Sequence, residues 1–264
     1  MNLFRVRGIR LAVHFTLFPL LALAAFEGWT AEDGGGWEGV TWSLGLLVAI
    51  FSCVVLHELG HSLMAMRFGV RVPRILLLPI GGMAELDDIP REPRREILIA
   101  VAGPAVNFAI IAVLWPFAGW PTEPFFGDYA ASFAGSAHFL IHFNLMMGSF
   151  NFIPAFPMDG GRVLRALMAM RLPYLRATFW AAAVGKVIAI TGIAGALATA
   201  WLGWAPHPHY QLAALFAFIF VAGEIEYRAV KRRDLEDAHW QTVYARLRLT
   251  SSVPPPHPPA KLPS

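Results

Sequence analysis

Charged residues are scarce in this chain of 264 amino acids. Asp, Glu, Lys and Arg together make up 15% of it, whereas soluble domains carry about 25%. Hydrophobic residues account for 56%, and the mean hydropathy is +0.53. This balance excludes an ordinary soluble domain and indicates a protein with several membrane-spanning helices.

Cysteine is almost absent as well. Cys53 is the single one in the chain, which excludes an intramolecular disulfide framework. It lies one helical turn before His57 on the same predicted face. Contact with a metal ion is one interpretation of that position, and a small residue at a helix contact is the other.

Lys and Arg are missing from every second loop between the apolar stretches. Six such stretches have about the 20 residues that a spanning helix needs, at about 9–27, 41–67, 95–119, 129–153, 177–204 and 209–229. The loops at 28–40, 120–128 and 205–208 hold no Lys or Arg, and the basic residues lie in the other connections and at the two ends. The positive-inside rule then places both termini in the cytoplasm.

This alternation explains the basic pI of 9.3 without a nucleic-acid partner. It predicts a multi-pass protein of a cell membrane such as a prokaryotic inner membrane. The segment from Arg5 to Ala25 also fits a cleavable signal peptide. We prefer six spans, because loss of the first would spoil the alternation of charge.

A His-Glu-x-x-His motif interrupts the second apolar stretch. His57 and His61 are four residues apart, so on a helix both imidazoles project from one face and can share a zinc ion. Glu58 lies beside them and can take a proton from a metal-bound water. The alternative is a pair of packed histidines, but ionisable groups inside a membrane are costly and usually functional. The motif therefore predicts a zinc hydrolase.

A third ligand is expected near the end of the fourth stretch, because a catalytic zinc takes three protein ligands. Pro154 and Pro157 cannot continue a helix, so the chain should unwind there. Asp159, followed by two glycines, can bend toward a metal before a short helix that starts near Arg162. The alternative role for Asp159 is to cap that helix.

These segments make the sequence similar to the site-2 protease family of intramembrane zinc metalloproteases. The resemblance covers about residues 8–230 and rests on His57–His61, Gly103–Asn107 and Asn151–Gly160. It implies a Zn²⁺ cofactor bound by His57, His61 and Asp159, with Glu58 as the catalytic acid and base. It also implies that Asn151 and Asn107 bind the substrate backbone or the developing oxyanion.

The family cuts membrane-anchored proteins, often regulators of transcription, within or near a transmembrane helix. The implied partners are therefore membrane-anchored substrates such as anti-sigma factors or other membrane-tethered regulators, within the lipid bilayer. Many relatives carry PDZ or CBS domains, and this sequence resembles a minimal member without them. Its regulatory partner is unknown.

Residues 70–88 predict a β-hairpin with Gly81 and Gly82 at the turn, in which Pro79 restricts the first strand to an edge. In the family this region is a small sheet that an extended substrate can join. An ordinary surface hairpin is the alternative.

Other polar groups also lie within predicted spans. His138 and His142, four residues apart, are expected to line a polar crevice or to bond between helices, with metal contact as the alternative, and His14 is interpreted in the same way. Lys186 is expected either to reach the cytoplasmic interface or to pair with Glu224.

The expected fold is an all-α polytopic membrane protein with about six transmembrane helices and a small membrane-associated β-hairpin or sheet between the second and third. Residues 1–230 form the metalloprotease domain, and 231–264 a cytoplasmic tail that is helical, then Pro-rich and disordered. Two rival functions use the same residues, namely a zinc-transporting or metal-binding membrane protein and an inactive relative that acts as a binding scaffold.

Overall fold

The computed structural model describes residues 2–31, 35–79, 81–85, 91–122, 132–203 and 207–250. The chain divides into two compact units, an N-terminal unit of Met1–Ile153 and a C-terminal unit of Pro154–Ser264. The Pro-rich end at 254–259 and residues 86–88 of the predicted hairpin region lie outside the described residues.

The N-terminal unit combines four strands with four helices. The strands are β1 (Asn2–Val6), β2 (Ile9–Val13), β3 (Arg74–Leu78) and β4 (Gly81–Glu85). The helices are α1 (Leu17–Thr30), α2 (Trp37–Arg67), α3 (Pro93–Ala118) and α4 (Phe133–Asn151). Helix α2 packs against α1, α3 and the β3–β4 hairpin, so it is the central element of this unit.

The first predicted span begins too early. Residues 9–13 form strand β2, and helix α1 begins only at Leu17. Ile9 and Leu11 are buried and Arg10 is exposed, which is the period-two alternation of a strand. A short apolar run next to a longer one is ambiguous between strand and helix, and pairing with β3 decides the outcome here.

The four strands form one sheet in the order β1-β2-β3-β4. Strand β2 pairs parallel to β3, and the other two pairs are antiparallel. The predicted hairpin is confirmed, but the edge position of its first strand is wrong, because β3 lies between β2 and β4. Pro79 follows the last residue of β3, so its missing N–H costs the sheet nothing. Gly81 and Gly82 are the first residues of β4 rather than the turn.

Three of the helices in the described residues are long and apolar enough to cross a membrane. They are α2, α3 and the helix Tyr174–Trp201, with mean hydropathies of 2.2, 2.5 and 1.8 over their most apolar 18 residues. Helix α1 is a shorter apolar helix of 14 residues. The structure is thus mainly helical with a small sheet, as expected, while the count of six spans stays a prediction.

The C-terminal unit consists of three helices, α5 (Asp159–Ala169), α6 (Tyr174–Trp201) and α7 (Tyr210–Thr250). Two ion pairs hold them. Lys186 Nζ on α6 lies 2.5 Å from Glu224 Oε2 on α7, one of the two roles considered for Lys186. Arg165 Nη1 on α5 lies 2.5 Å from Glu226 Oε1.

Candidate active site

The two histidines of the motif lie on the buried face of α2. His57 is 3% exposed and His61 is 5% exposed, and their rings meet edge to face with centroids 4.7 Å apart. Their Nε2 atoms are 3.1 Å apart. The i, i+4 spacing on a helix brings both nitrogens to one point, as the sequence predicts.

A hydrogen bond from the other ring nitrogen orients each imidazole. His61 Nδ1 donates to the backbone carbonyl of Ile99 at 2.7 Å, and His57 Nδ1 donates to Asn107 Oδ1 at 2.6 Å. Both acceptors are on α3. A proton on Nδ1 places the lone pair of each ring on Nε2, the usual state of a metal-binding histidine.

This arrangement fits a zinc ion. Two nitrogen lone pairs that face each other at 3.1 Å repel unless a proton or a cation lies between them. Two nitrogens bound about 2.1 Å from a tetrahedral zinc would be about 3.4 Å apart, close to the observed separation. The buried imidazole pair is therefore suited to this metal.

Two glycines allow α2 and α3 to approach closely at this point. A Cβ atom on Gly103 would overlap the imidazole of His61 and lie 2.8 Å from His57 Cε1. A Cβ atom on Gly60 would lie 2.7 Å from the carbonyl oxygen of Ala102. The structure thus explains why both motifs contain glycine. Helix α3 must pass close to the histidines so that the Ile99 carbonyl and the Asn107 side chain can reach them.

Glu58 lies next to strand β4. A Cβ atom on Gly82 would be 2.6 Å from Glu58 Cγ and 3.3 Å from its Cδ, so the backbone of β4 passes directly against this side chain. Strand β4 is at one end of the sheet, with β3 as its neighbour. The predicted catalytic base is therefore adjacent to a sheet edge.

Asp159 belongs to the C-terminal unit, where it is the first residue of α5. It is 7% exposed, and Arg162 Nη1 lies 3.9 Å from its Oδ1. The helix begins at Asp159 rather than near Arg162. Met158 is the N-cap residue, and its side chain makes no capping hydrogen bond. Asp159 is thus one residue past the N-cap position, and its role as a metal ligand stays a prediction.

The chain unwinds before Asp159 as predicted. Helix α4 ends at Asn151, and the residues up to Met158 are not helical. Asn151 Nδ2 donates to Met147 O within α4 at 3.0 Å. Its predicted role in substrate binding, like that of Asn107, stays a prediction.

The sequence analysis did not identify one polar residue of the site. Asn144 on α4 is fully buried, and its Oδ1 accepts from Asn107 Nδ2 at 2.8 Å. An amide within an apolar stretch was the available signal, since such groups are costly there. His138 Nε2 donates to Ala118 O at the end of α3, which confirms the bond between helices expected for it.

Known proteins share the sequence segments that form this site. Peptidase family M50 matches residues 45–122, which contain both histidines, Glu58 and Asn107. Residues with this pattern on membrane helices define the class of membrane zinc metalloproteases.

The chain belongs to the site-2 protease family. The solved structure of the site-2 protease from Methanocaldococcus jannaschii matches with a TM-score of 0.56 and 36% identity, covering 86% of this chain and 94% of that one. A curated zinc metalloprotease of Methanocaldococcus jannaschii is 41% identical over 189 residues, which is 72% of this chain and 51% of the relative. Rip3 of Mycobacterium tuberculosis, also named as a zinc metalloprotease, is 31% identical over 227 residues, which is 76% of this chain and 55% of the relative. The chain thus spans about half the length of these two curated relatives.

Proposed function

We propose that this chain hydrolyses peptide bonds within or near the transmembrane segments of membrane-anchored proteins, with a zinc ion held by His57, His61 and Asp159. One observation carries the proposal. Two buried imidazoles on α2 face each other through Nε2 at 3.1 Å, with Glu58 between them in sequence and β4 against its side chain.

Asp159 is the proposed third ligand. Two imidazoles and one carboxylate are a donor set that catalytic zinc commonly takes, and all three of these residues are buried. The position of Asp159 as the first residue of α5, one residue past the N-cap Met158, supports this assignment.

Zinc in such a site acts as a Lewis acid that lowers the pKa of water to about 7 and polarises a carbonyl group. Glu58 takes the proton released by the water and returns it to the leaving amide nitrogen. His57 and His61 each keep Nδ1–H bonded to an acceptor on α3, which leaves Nε2 to hold the zinc ion. Asn151 binds the substrate backbone near the scissile bond.

The substrate enters as an extended strand beside β4. This strand lies at an end of the sheet and against Glu58, so a peptide paired with it would present its backbone near the base. A helical substrate must unwind first, because its peptide bonds are hydrogen-bonded and shielded. Helix-breaking residues near the cut therefore favour cleavage.

The proposed setting is a cell membrane crossed six times, with both termini in the cytoplasm. The loops without Lys or Arg support this orientation. Trp37→Cys and Arg71→Cys variants in a Cys53→Ser background test it by labelling of intact cells. The first should react with an impermeant reagent from outside and the second should not, and the reverse would overturn the orientation.

The natural substrates proposed are membrane-tethered regulators such as anti-sigma factors, cut in regulated intramembrane proteolysis. Co-expression with a library of single-span proteins would identify them. Fragments that appear with the wild-type chain and not with Glu58→Gln would be products of this site.

Glu58→Gln also tests the mechanism. The change keeps the ligands, so zinc content should stay near wild type, while loss of the base should lower the cleavage rate by about 10²–10⁴-fold. Cleavage of a model substrate in detergent measures this. Full activity of the variant would contradict the proposed mechanism, and so would a zinc-free wild-type protein.

A further inference from the structure

We infer that Asn107 and Asn144 form a directional hydrogen-bond relay that sets the tautomer of His57. Asn144 is then a positioning residue for a zinc ligand that it does not touch. The inference rests on the proposed zinc site. All three side chains lie in the N-terminal unit, and both asparagines are 0% exposed.

The relay starts at a backbone carbonyl of α4. Asn144 Nδ2 donates to Leu140 O at 2.8 Å and to Cys53 Sγ at 3.3 Å. A carbonyl oxygen can only accept a hydrogen bond. The NH₂ group of Asn144 must therefore face this end, and its Oδ1 must face Asn107.

Asn107 passes the same direction on to α2. Its Nδ2 donates to Asn144 Oδ1 at 2.8 Å, so its own Oδ1 faces His57 and accepts from Nδ1 at 2.6 Å. The proton of His57 is thereby held on Nδ1, and the lone pair is on Nε2, where the ring faces His61. A reversal of either amide would bring acceptors against acceptors in a site without exposure to solvent.

His61 reaches the same tautomer more directly. Its Nδ1 donates to Ile99 O, a backbone carbonyl that needs no orientation. At His57 the acceptor is an amide, which can turn over and present either a donor or an acceptor. Asn144 removes this ambiguity. Its NH₂ group is fixed on the Leu140 carbonyl, so its Oδ1 faces Asn107 and can accept only from the NH₂ group of that residue.

The relay predicts a difference between an amide and a carboxylate at position 107. Both oxygens of a carboxylate accept hydrogen bonds, so a carboxylate needs no partner to orient it toward His57. The other carboxylate oxygen would face Asn144 Oδ1, which also accepts. Asn144 should therefore favour zinc binding when residue 107 is Asn and not when it is Asp.

The experiment measures zinc affinity of the full chain in detergent by competition with a chelator. Loss of an outer partner of a metal ligand typically costs 10–100-fold in affinity. Asn107→Leu should fall in this range, and Asn144→Leu, which acts through Asn107, should lose about tenfold. In the Asn107→Asp background, adding Asn144→Leu should not lower affinity, because it removes an acceptor that faces the carboxylate.

A role of Asn144 in packing alone would lower zinc affinity in both backgrounds, and that result would overturn the relay. Thr178→Val is the matched control, because Thr178 is equally buried and its hydroxyl donates to Tyr174 O in α6. Its zinc affinity should stay near wild type. Visible spectra of the cobalt-substituted variants give a second readout, in which Asn144→Leu alone should show altered coordination.

A measurement on the unmutated protein keeps the inference testable if the leucine variants fail to fold. In zinc-free protein with labelled histidine, ¹⁵N shifts should show His57 protonated on Nδ1. A neutral His57 protonated on Nε2 would overturn the relay. So would wild-type zinc affinity in folded Asn144→Leu, which leaves the proposed protease function intact, whereas a wild-type chain that binds no zinc contradicts that function itself.

Discussion

Each unit of this chain contains a buried polar cluster, and the two clusters are built in different ways. In the N-terminal unit, His57, Asn107 and Asn144 are joined by hydrogen bonds with a definite direction. In the C-terminal unit, buried Arg165 pairs with Glu226 and stacks over aromatic rings.

This difference has a chemical reason. A metal-binding imidazole must keep one nitrogen unprotonated, and only directional donors and acceptors can specify which one. An ion pair is attractive whichever oxygen meets the cation, so it joins helices without specifying a proton position. The comparison predicts that changes in the first unit alter zinc binding, whereas changes to the ion pairs of the second alter stability.

Asp159→Asn should have the largest effect, because Asp159 is the zinc ligand that we propose in the C-terminal unit. Asparagine is nearly isosteric with aspartate, so the variant should fold and insert normally. It lacks the anionic oxygen that zinc prefers. We expect depleted zinc and a cleavage rate lowered by two orders of magnitude or more, of the size reported for essential catalytic groups.

Metal analysis of purified Asp159→Asn, beside a His57→Ala control, measures this effect. Zinc content and cleavage near wild type would show that Asp159 is not a ligand.

Gly103→Ala should follow, since a methyl group there would overlap the imidazole of His61. Displaced ligands should lower zinc affinity by about 10–100-fold, as for loss of other groups that orient a metal site. Chelator competition and the cleavage rate measure the effect. Unchanged zinc affinity would show that α3 can move away without cost.

Gly82→Ala is the matched control for this change, because its new methyl group would meet Glu58 rather than a histidine. Cleavage should fall while zinc affinity stays near wild type. A second control, Gly195→Ala, has nothing within 4 Å of the added atom and should alter neither quantity.

Glu226→Gln should have the smallest effect on the active site and a measurable effect on stability. Arg165 is 2% exposed and would lose its anionic partner, but Glu226 itself is 38% exposed. We therefore expect about 1–2 kcal/mol rather than the 3–5 typical of a fully buried pair.

The apparent Tm in detergent should fall in Glu226→Gln while zinc content stays near wild type. Glu236→Gln, which alters an exposed pair with Arg232 on the same helix, should leave the Tm unchanged. Loss of zinc in Glu226→Gln would remove the distinction between the two units.

Sequence reasoning succeeded where the relevant geometry is local. The i, i+4 spacing of His57 and His61 places both side chains on one face of a helix. Pro154 cannot continue a helix, so the chain unwinds ahead of Asp159 whatever its tertiary surroundings. The hairpin at β3 and β4 is also a local structure. Family, cofactor and enzyme class were predicted correctly on this basis.

It failed where distant segments compete for the same residues. Residues 9–13 are apolar enough for a helix, but they form β2 because β3 offers hydrogen bonds to them. The central position of β3 follows from the same pairing, which Pro79 alone could not reveal.

The sequence by itself determined that this is a membrane protein with two imidazoles on one face of a helix and a carboxylate beside them, because composition and helical spacing decide these properties. Only the tertiary structure decided which nitrogen of each imidazole carries the proton. That choice depends on Ile99, Asn107 and Asn144, which lie 38 or more positions from the histidines that they orient. Hydrogen-bond direction exists only once such groups have come together.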